Sequence, residues 1–306
     1  MSKTAFIFPG QGAQYVGMGS DLCEKNSIAR ELFEKADTML GVSLSKICFA
    51  GPQDELRQTR NTQPAIFLHS IILSKLVERN DIAMVAGHSL GEYTALVFAG
   101  ALTFEDGLKL VRLRGELMQR AGEEQRGTMA AIAGLQPQDV EQICHEARVA
   151  GIVQCANFNS PGQIAISGSV AGVHRAMEIA KTKGAKLVKE LVVSGAFHSP
   201  LMQSAQEGLR SALERVSLRD ARIPVYANVT AKPVTVAGEI RNLLVQQLTS
   251  PVRWEESMQN MIADGATAFV EIGPGKVLQG LAKRINSSVE VSGIDKFEDV
   301  EKIIAA

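Results

Sequence analysis

Nothing in this 306-residue chain is apolar for long enough to span a bilayer, so no membrane anchor or channel is expected. The four cysteines, Cys23, Cys48, Cys144 and Cys155, form no Cys-x-x-Cys pair, which argues against a zinc knuckle or a dithiol redox motif. They read as buried structural thiols of a reducing compartment. A charge imbalance is missing too: 32 basic side chains meet 33 acidic ones, and the net charge of −1 offers no field to draw in nucleic acid or anionic lipid. Pro-rich or Gly-Ser linkers, low-complexity runs and internal repeats are absent. Met1-Ser2-Lys3 leads straight into the strand-like Thr4–Phe8 without a signal-peptide core, which makes the cytoplasm the default location.

What is present is ordinary soluble composition, 45% apolar and 21% charged, in a chain long enough for one large domain with an insertion, or for two domains. Within it, the apolar run Ile82–Ala86 precedes Gly87-His88-Ser89-Leu90-Gly91, and the helix-like Glu92–Ala99 follows. Strand, glycine-bracketed serine, helix is the order of a nucleophile elbow. The glycines are expected to let the backbone turn sharply and present the Ser89 hydroxyl above the sheet edge. A helix start beneath it supplies unpaired N–H groups that favour an oxyanion.

Two other glycine-rich loops fail their tests. Gly10-Gln11-Gly12 follows a strand but has Tyr15 where a dinucleotide fingerprint needs glycine. Gly273-Pro274-Gly275-Lys276 has Val270 in place of the first glycine of a phosphate loop and Val277 in place of its Ser/Thr, so it reads as a strand-to-helix turn.

Helices are expected over Leu22–Leu40, ending at Gly41, and from about Thr62 to Glu78, with Pro64 in the first turn of the second and His69 in its apolar stretch as a packing residue. On a helix over Leu108–Ala121, Arg114 falls in the stripe Leu110, Val111, Leu117, Met118 and Ala121, while Lys109 and Arg112 face solvent. A guanidinium in that stripe needs a partner, either an internal acid or the carboxylate of a substrate.

From Gly127 to Val193 the pattern is β-α-β-β-α-β, with strands at Thr128–Ala133, Ile152–Phe158, Gln163–Ser167 and Ala185–Val193 and helices at Pro137–Arg148 and Val170–Lys183. That is a ferredoxin-like order, and it predicts a small domain over 127–193 inserted into a larger one over 1–126 and 194–306. His145 and His174 fall on its helices and are expected to face solvent. The chain then returns through Gly195-Ala196-Phe197-His198-Ser199-Pro200. Of the five histidines, His198 is the best candidate base: it sits in a loop past a strand and follows the serine in chain order, whereas His88 should point away from its neighbour. Strands at Ile223–Val229 and Thr267–Ile272, each followed by a helix, extend a mainly parallel α/β sheet.

Taken together, Pro9-Gly10-Gln11-Gly12, Gly87-His88-Ser89-Leu90-Gly91-Glu92-Tyr93, Arg114-Gly115, Asn157-Phe158-Asn159-Ser160-Pro161-Gly162-Gln163, Gly195-Ala196-Phe197-His198 and Glu271-Ile272-Gly273-Pro274-Gly275 resemble the malonyl-CoA:acyl carrier protein transacylases nearly end to end. The resemblance implies an α/β-hydrolase-like core with a ferredoxin-like insertion. It also implies Ser89 as nucleophile, His198 as base, the amides of Gln11 and Leu90 as oxyanion hole, and Arg114 as the grip on the malonyl carboxylate. Met118 and Phe197 would line the pocket, and the main chain of Gln247 would orient the histidine without a third acid. Malonyl-CoA and an acyl carrier protein are the implied partners, with no metal, no resident cofactor and nothing that demands more than a monomer. An acidic carrier would meet Lys181, Lys183, Lys186, Lys189, Lys283 or Arg284. Rival readings are an acyltransferase loading polyketide synthase carriers, a serine hydrolase, and a non-catalytic α/β scaffold.

Overall fold

Phe6 and Phe8 project to one side of a strand and Ala5 and Ile7 to the other, and all four are fully buried. A strand apolar on both faces belongs in the middle of a parallel sheet covered by helices. The computed structural model, which describes residues 3–77, 79 and 81–304, places it there. Ten strands are present among these residues: β1 (Lys3–Phe8), β2 (Ile82–Gly87), β3 (Gly127–Ala133), β4 (Val153–Ser160), β5 (Gln163–Ser169), β6 (Leu187–Glu190), β7 (Val225–Tyr226), β8 (Pro233–Val234), β9 (Ala266–Ile272) and β10 (Glu290–Ile294). They make a six-stranded sheet in the order β10-β9-β1-β2-β7-β8 and a four-stranded sheet in the order β4-β5-β3-β6.

In the larger sheet every pair is parallel except the terminal β7–β8 hairpin. Phe6 stands between Val85 and Val270, and the alternation of side chains divides the core in two. Phe6, Phe8, Val85 and Ile272 pack with Phe67 and Leu108 on one face, while Ala5, Ile7, Met84 and Phe269 pack with Trp254 and Leu278 on the other. Parallel strands need crossovers, and helices supply them. Thr59–Val77 is the most enclosed, buried nearly all round and wedged against Phe104–Glu124.

The four-stranded sheet is antiparallel throughout, with helices Pro137–Ala147 and Val170–Thr182 burying Val140, Ile143, Val173 and Ala176 against it in a third core. Its strand β4 is stitched to the larger part of the molecule: Val252 N–H donates to Ala156 O at 2.8 Å and Phe158 N–H to Val252 O at 2.9 Å. Among the described residues no helix is long and apolar enough to cross a membrane.

Several expected elements differ. Leu22–Leu40 is two helices, Ser20–Lys25 and Ser27–Leu40, because Asn26 adopts an extended conformation and its side chain accepts from Ala29 N–H at 3.1 Å, starting a new helix. The helix expected from Thr62 starts at Thr59 and tolerates Pro64 inside it; it is described to Val77, and Glu78 lies outside the described residues. The expected strand Ala185–Val193 pairs only over Leu187–Glu190, and Asn159-Ser160 belong to β4, leaving Pro161-Gly162 as the turn. Ile223–Val229 contributes only Val225–Tyr226, which folds back into β8 before the next helix, Ala237–Gln247. Arg112 is largely buried, bonding Glu116, Arg60 O and the Asn61 side chain. His69 is enclosed as expected, and its Nε2 meets Asp295 O at 2.9 Å and Asp295 Oδ1 at 3.1 Å, although its Nδ1 has no partner among the described residues. His145 and His174 are exposed.

The Asn26 cap can be tested alone. Asn26→Ala should lower stability by about 1 kcal/mol in urea unfolding, and an unchanged midpoint would show that the second helix starts without it.

Candidate active site

β2 ends at Gly87 and helix Gly91–Phe98 begins four residues on. The intervening bend is made by Ser89, whose φ of 51° lies in the left-handed region. This differs from the expectation that the glycines take the turn. They are needed for close approach instead: a Cβ on Gly87 would lie 1.9 Å from Gly91 C, and one on Gly91 would lie 2.1 Å from Phe8 O. A left-handed serine costs energy unless its surroundings hold it. Here Ser89 N–H donates to Asn228 Oδ1 at 2.7 Å, and Gln247 Nε2 donates to Ser89 O at 2.9 Å.

His198, also left-handed at φ 57°, arrives from the loop between β6 and the turn Pro200–Met202. Its Nε2 lies 2.8 Å from Ser89 Oγ, and its Nδ1 lies 2.9 Å from Gln247 O. A carbonyl only accepts, so Nδ1 carries the proton and Nε2 presents a lone pair to the serine hydroxyl. Gln154 on β4 donates to His198 O at 2.8 Å and Thr249 O at 3.2 Å, tying the small sheet to the histidine loop. Burial, with the nearby Arg114 cation, pushes the His198 pKa down to about 3, so the imidazole is neutral at physiological pH.

Arg114 is fully buried on helix Phe104–Glu124. It donates from Nη1 to Gln63 Oε1 at 2.9 Å, and from Nη2 to Gln247 Oε1 at 2.9 Å and Ser89 Oγ at 3.0 Å. Its Nε has no partner, and no carboxylate bonds it among the described residues. The internal acid that one reading required is therefore not bonded to it. A cation held by neutral acceptors retains its attraction for an incoming anion.

These groups border one cavity of about 310 Å³, closed by Met118, Met129, Leu191, Val193 and Phe197. Gln11, Leu90, Ser89, Arg114 and His198 all face it, with the small sheet forming the opposite wall. The amides of Gln11 and Leu90 have no protein acceptor among the described residues. Gln247 lies beneath the cavity, not on its wall. His88 also borders the cavity, although its Nε2 is engaged by Asn159 Oδ1 at 2.9 Å and not by the serine. Among the described residues no group of His, Cys, Asp or Glu side chains is disposed to hold a metal ion.

Sequence reasoning missed Gln63, Glu92, Asn159 and Asn228 as members of the site. Glu92 was detectable: a carboxylate at the head of the apolar run Tyr93–Ala99 is the same kind of signal that singled out Arg114. The others join the site through contacts across more than fifty positions, such as Asn228 to Ser89, and carry no local pattern. The six basic residues proposed to meet a carrier are all exposed, although Lys183 pairs with Glu146 and Arg284 bonds Gln163.

A sequence model described as "Acyl transferase domain" matches residues 5–300. The chain is 46% identical over 307 residues to the malonyl CoA-acyl carrier protein transacylase of Bacillus subtilis strain 168, covering 99% of this chain and 97% of that one. It superposes at TM-score 0.96 and 39% identity on the malonyl CoA-acyl carrier protein transacylase of Coxiella burnetii, covering 99% of this chain and 97% of the other. A malonyl-transacylase solved in complex with its type II PKS acyl-carrier protein matches at TM-score 0.96 and 38% identity over 99% of both chains.

The depressed His198 pKa has a definite sign. An imidazole that stays neutral down to about 3 remains a competent base through the range where an ordinary histidine, near 6.5, would be lost. Modification of Ser89 by a neutral sulfonyl fluoride, followed by intact mass, should therefore show no fall in rate between about pH 8 and about pH 5. A step centred near 6.5 would show that the buried histidine titrates normally.

Proposed function

The chain belongs to the malonyl CoA-acyl carrier protein transacylase family, and from that membership together with the cavity's geometry we propose how its residues move the malonyl group. The protein is an acyl-carrier-protein S-malonyltransferase: it takes malonyl from malonyl-CoA and delivers it to the thiol of an acyl carrier protein. The observation that carries the residue roles is the unbroken chain Arg114–Ser89–His198 within one cavity, at 3.0 and 2.8 Å.

In this reading Ser89 Oγ attacks the thioester carbonyl as its proton passes to His198 Nε2. The carbonyl oxygen, negative in the tetrahedral intermediate, accepts from the Gln11 and Leu90 amides; a comparable donor in other acyl-transfer enzymes contributes about 3 kcal/mol. The C–S bond breaks, the imidazolium protonates the departing thiolate, and malonyl-serine remains. The phosphopantetheine thiol of the carrier then attacks the ester. Its proton goes to His198 and is returned to Ser89 Oγ as the ester bond breaks, which makes the exchange ping-pong. The malonyl carboxylate meets the Arg114 guanidinium, whose buried positive charge is left unanswered by an acetyl or fatty acyl group. Met118 and Phe197 shape the pocket around the short cargo.

We read the larger sheet as an α/β-hydrolase-like core over 1–126 and 194–306, and 127–193 as the ferredoxin-like insertion. The strand order β4-β5-β3-β6 with two helices on the sheet supports the latter. The similarity to a transacylase bound to a type II PKS carrier favours a second possibility, that polyketide carriers are also served. Transfer to fatty acid and polyketide carriers, measured side by side, separates the two.

Intact mass after mixing with malonyl-CoA tests the reading. The native protein should gain one malonyl adduct, Ser89→Ala none, and Arg114→Ala should be acylated by malonyl-CoA roughly 10²-fold more slowly while losing its preference over acetyl-CoA. An adduct on Ser89→Ala at the native rate would remove the serine from the mechanism.

A further inference from the structure

Glu92 is a carboxylate, 3% exposed, that the acyl-transfer steps do not use. It follows Gly91 at the start of the helix after the elbow, beneath Ser89. One of its oxygens, Oε2, accepts two hydrogen bonds: from Asn228 N–H at 3.0 Å and from Gln247 Nε2 at 2.8 Å. Those two residues brace the catalytic centre from opposite sides. The Asn228 side chain holds Ser89 N–H at 2.7 Å and, through Nδ2, Gly87 O at 2.7 Å, so it grips the elbow before and at the bend. Gln247 holds Ser89 O through Nε2, Arg114 through Oε1, and His198 through its main-chain carbonyl.

The side-chain amide of Gln247 has only one orientation that satisfies this arrangement. Its NH₂ faces two acceptors, Glu92 Oε2 and Ser89 O, and its oxygen faces a donor, Arg114. A turned-over amide would set NH₂ against guanidinium and oxygen against carboxylate. Asn228 is fixed in the same sense, its oxygen toward Ser89 N–H and its NH₂ toward Gly87 O.

We propose that Glu92 is a positioning residue whose single oxygen Oε2, shared by Asn228 and Gln247, locks the left-handed Ser89 backbone and keeps nucleophile, base and guanidinium in register. The proposal rests on Ser89 being the nucleophile. What matters in it is an acceptor at that reach, not negative charge as such. Glutamine at position 92 can place its carbonyl oxygen where Oε2 lies and direct its NH₂ to the side that neither donor uses. Aspartate keeps the charge but is one methylene short.

The two conservative variants therefore separate position from charge. Single-turnover acylation by malonyl-CoA should be within about threefold of native for Glu92→Gln and slower by roughly tenfold or more for Glu92→Asp, with the half-saturating malonyl-CoA concentration changed little in either. A merely structural role would lower the thermal midpoint and the amount of competent enzyme without this order or this split between rate and saturation. The proposal is overturned if aspartate retains the native rate while glutamine loses it, if both match native, or if both are slowed alike. Native and Ser89→Ala proteins run in parallel test the underlying assignment separately: acylation that survives Ser89→Ala defeats the nucleophile reading, whatever the two variants at position 92 do.

Discussion

Arg114 is fully enclosed, and the three side chains that accept its hydrogen bonds, Gln63, Gln247 and Ser89, are all neutral. Taking a guanidinium out of water without pairing it with an anion costs several kcal/mol, so the fold must hold it in place from elsewhere. The enclosed helix Thr59–Val77 supplies Gln63, the end of helix Ala237–Gln247 supplies Gln247, and the Tyr93 ring lies 5.6 Å from the guanidinium. The packing of three helices on one face of the larger sheet thus converges on a single positive charge at the floor of the cavity.

Burial, with that charge, sets the state of its neighbours. Burial first, and then this cation, from which only the serine oxygen separates the imidazole, keep His198 neutral, the state the proposed base role requires. Burial pushes Glu92 the other way, up to about 7, while hydrogen bonds from Asn228 and Gln247, and Arg114 itself, favour its ionised form. The carboxylate and the guanidinium attract through space but are not bonded to each other; the Gln247 side chain lies between them and bonds both.

The parts of this design that follow from neighbours in the chain were legible in sequence. Gly87 to Gly91 with its flanking strand and helix marked the sharp bend that presents Ser89. The apolar stripe around Arg114 announced a buried cation, and the loop before Pro200 marked His198. What escaped depends on distance or on competition between local preferences. Asn228 reaches Ser89 only because β7 lies beside β2, a pairing that no spacing reveals. The expected long strand through Val225 is cut short because the chain turns back into β8 at the sheet's edge. Asn26 interrupts a continuous apolar periodicity by capping a new helix, a side-chain-to-backbone bond that periodicity cannot register.

Gln247 also shows how His198 is held with no acid on its Nδ1 among the described residues. In a serine–histidine–aspartate arrangement a carboxylate holds the histidine Nδ1 and stabilises the imidazolium. Here a main-chain carbonyl does the holding, which fixes the tautomer and ring orientation with no added charge. An acid in that place would lie within the same buried cluster as Arg114 and would draw on the positive charge that the cargo's carboxylate is proposed to meet. Neutral glutamines are therefore the consistent choice around Ser89 and His198: they orient the guanidinium and the imidazole through dipoles and leave the Arg114 charge on the cavity wall free for the carboxylate it is proposed to meet. Under the proposed roles, selectivity for a carboxylated acyl group and the use of a carbonyl in place of a catalytic acid have the same electrostatic cause.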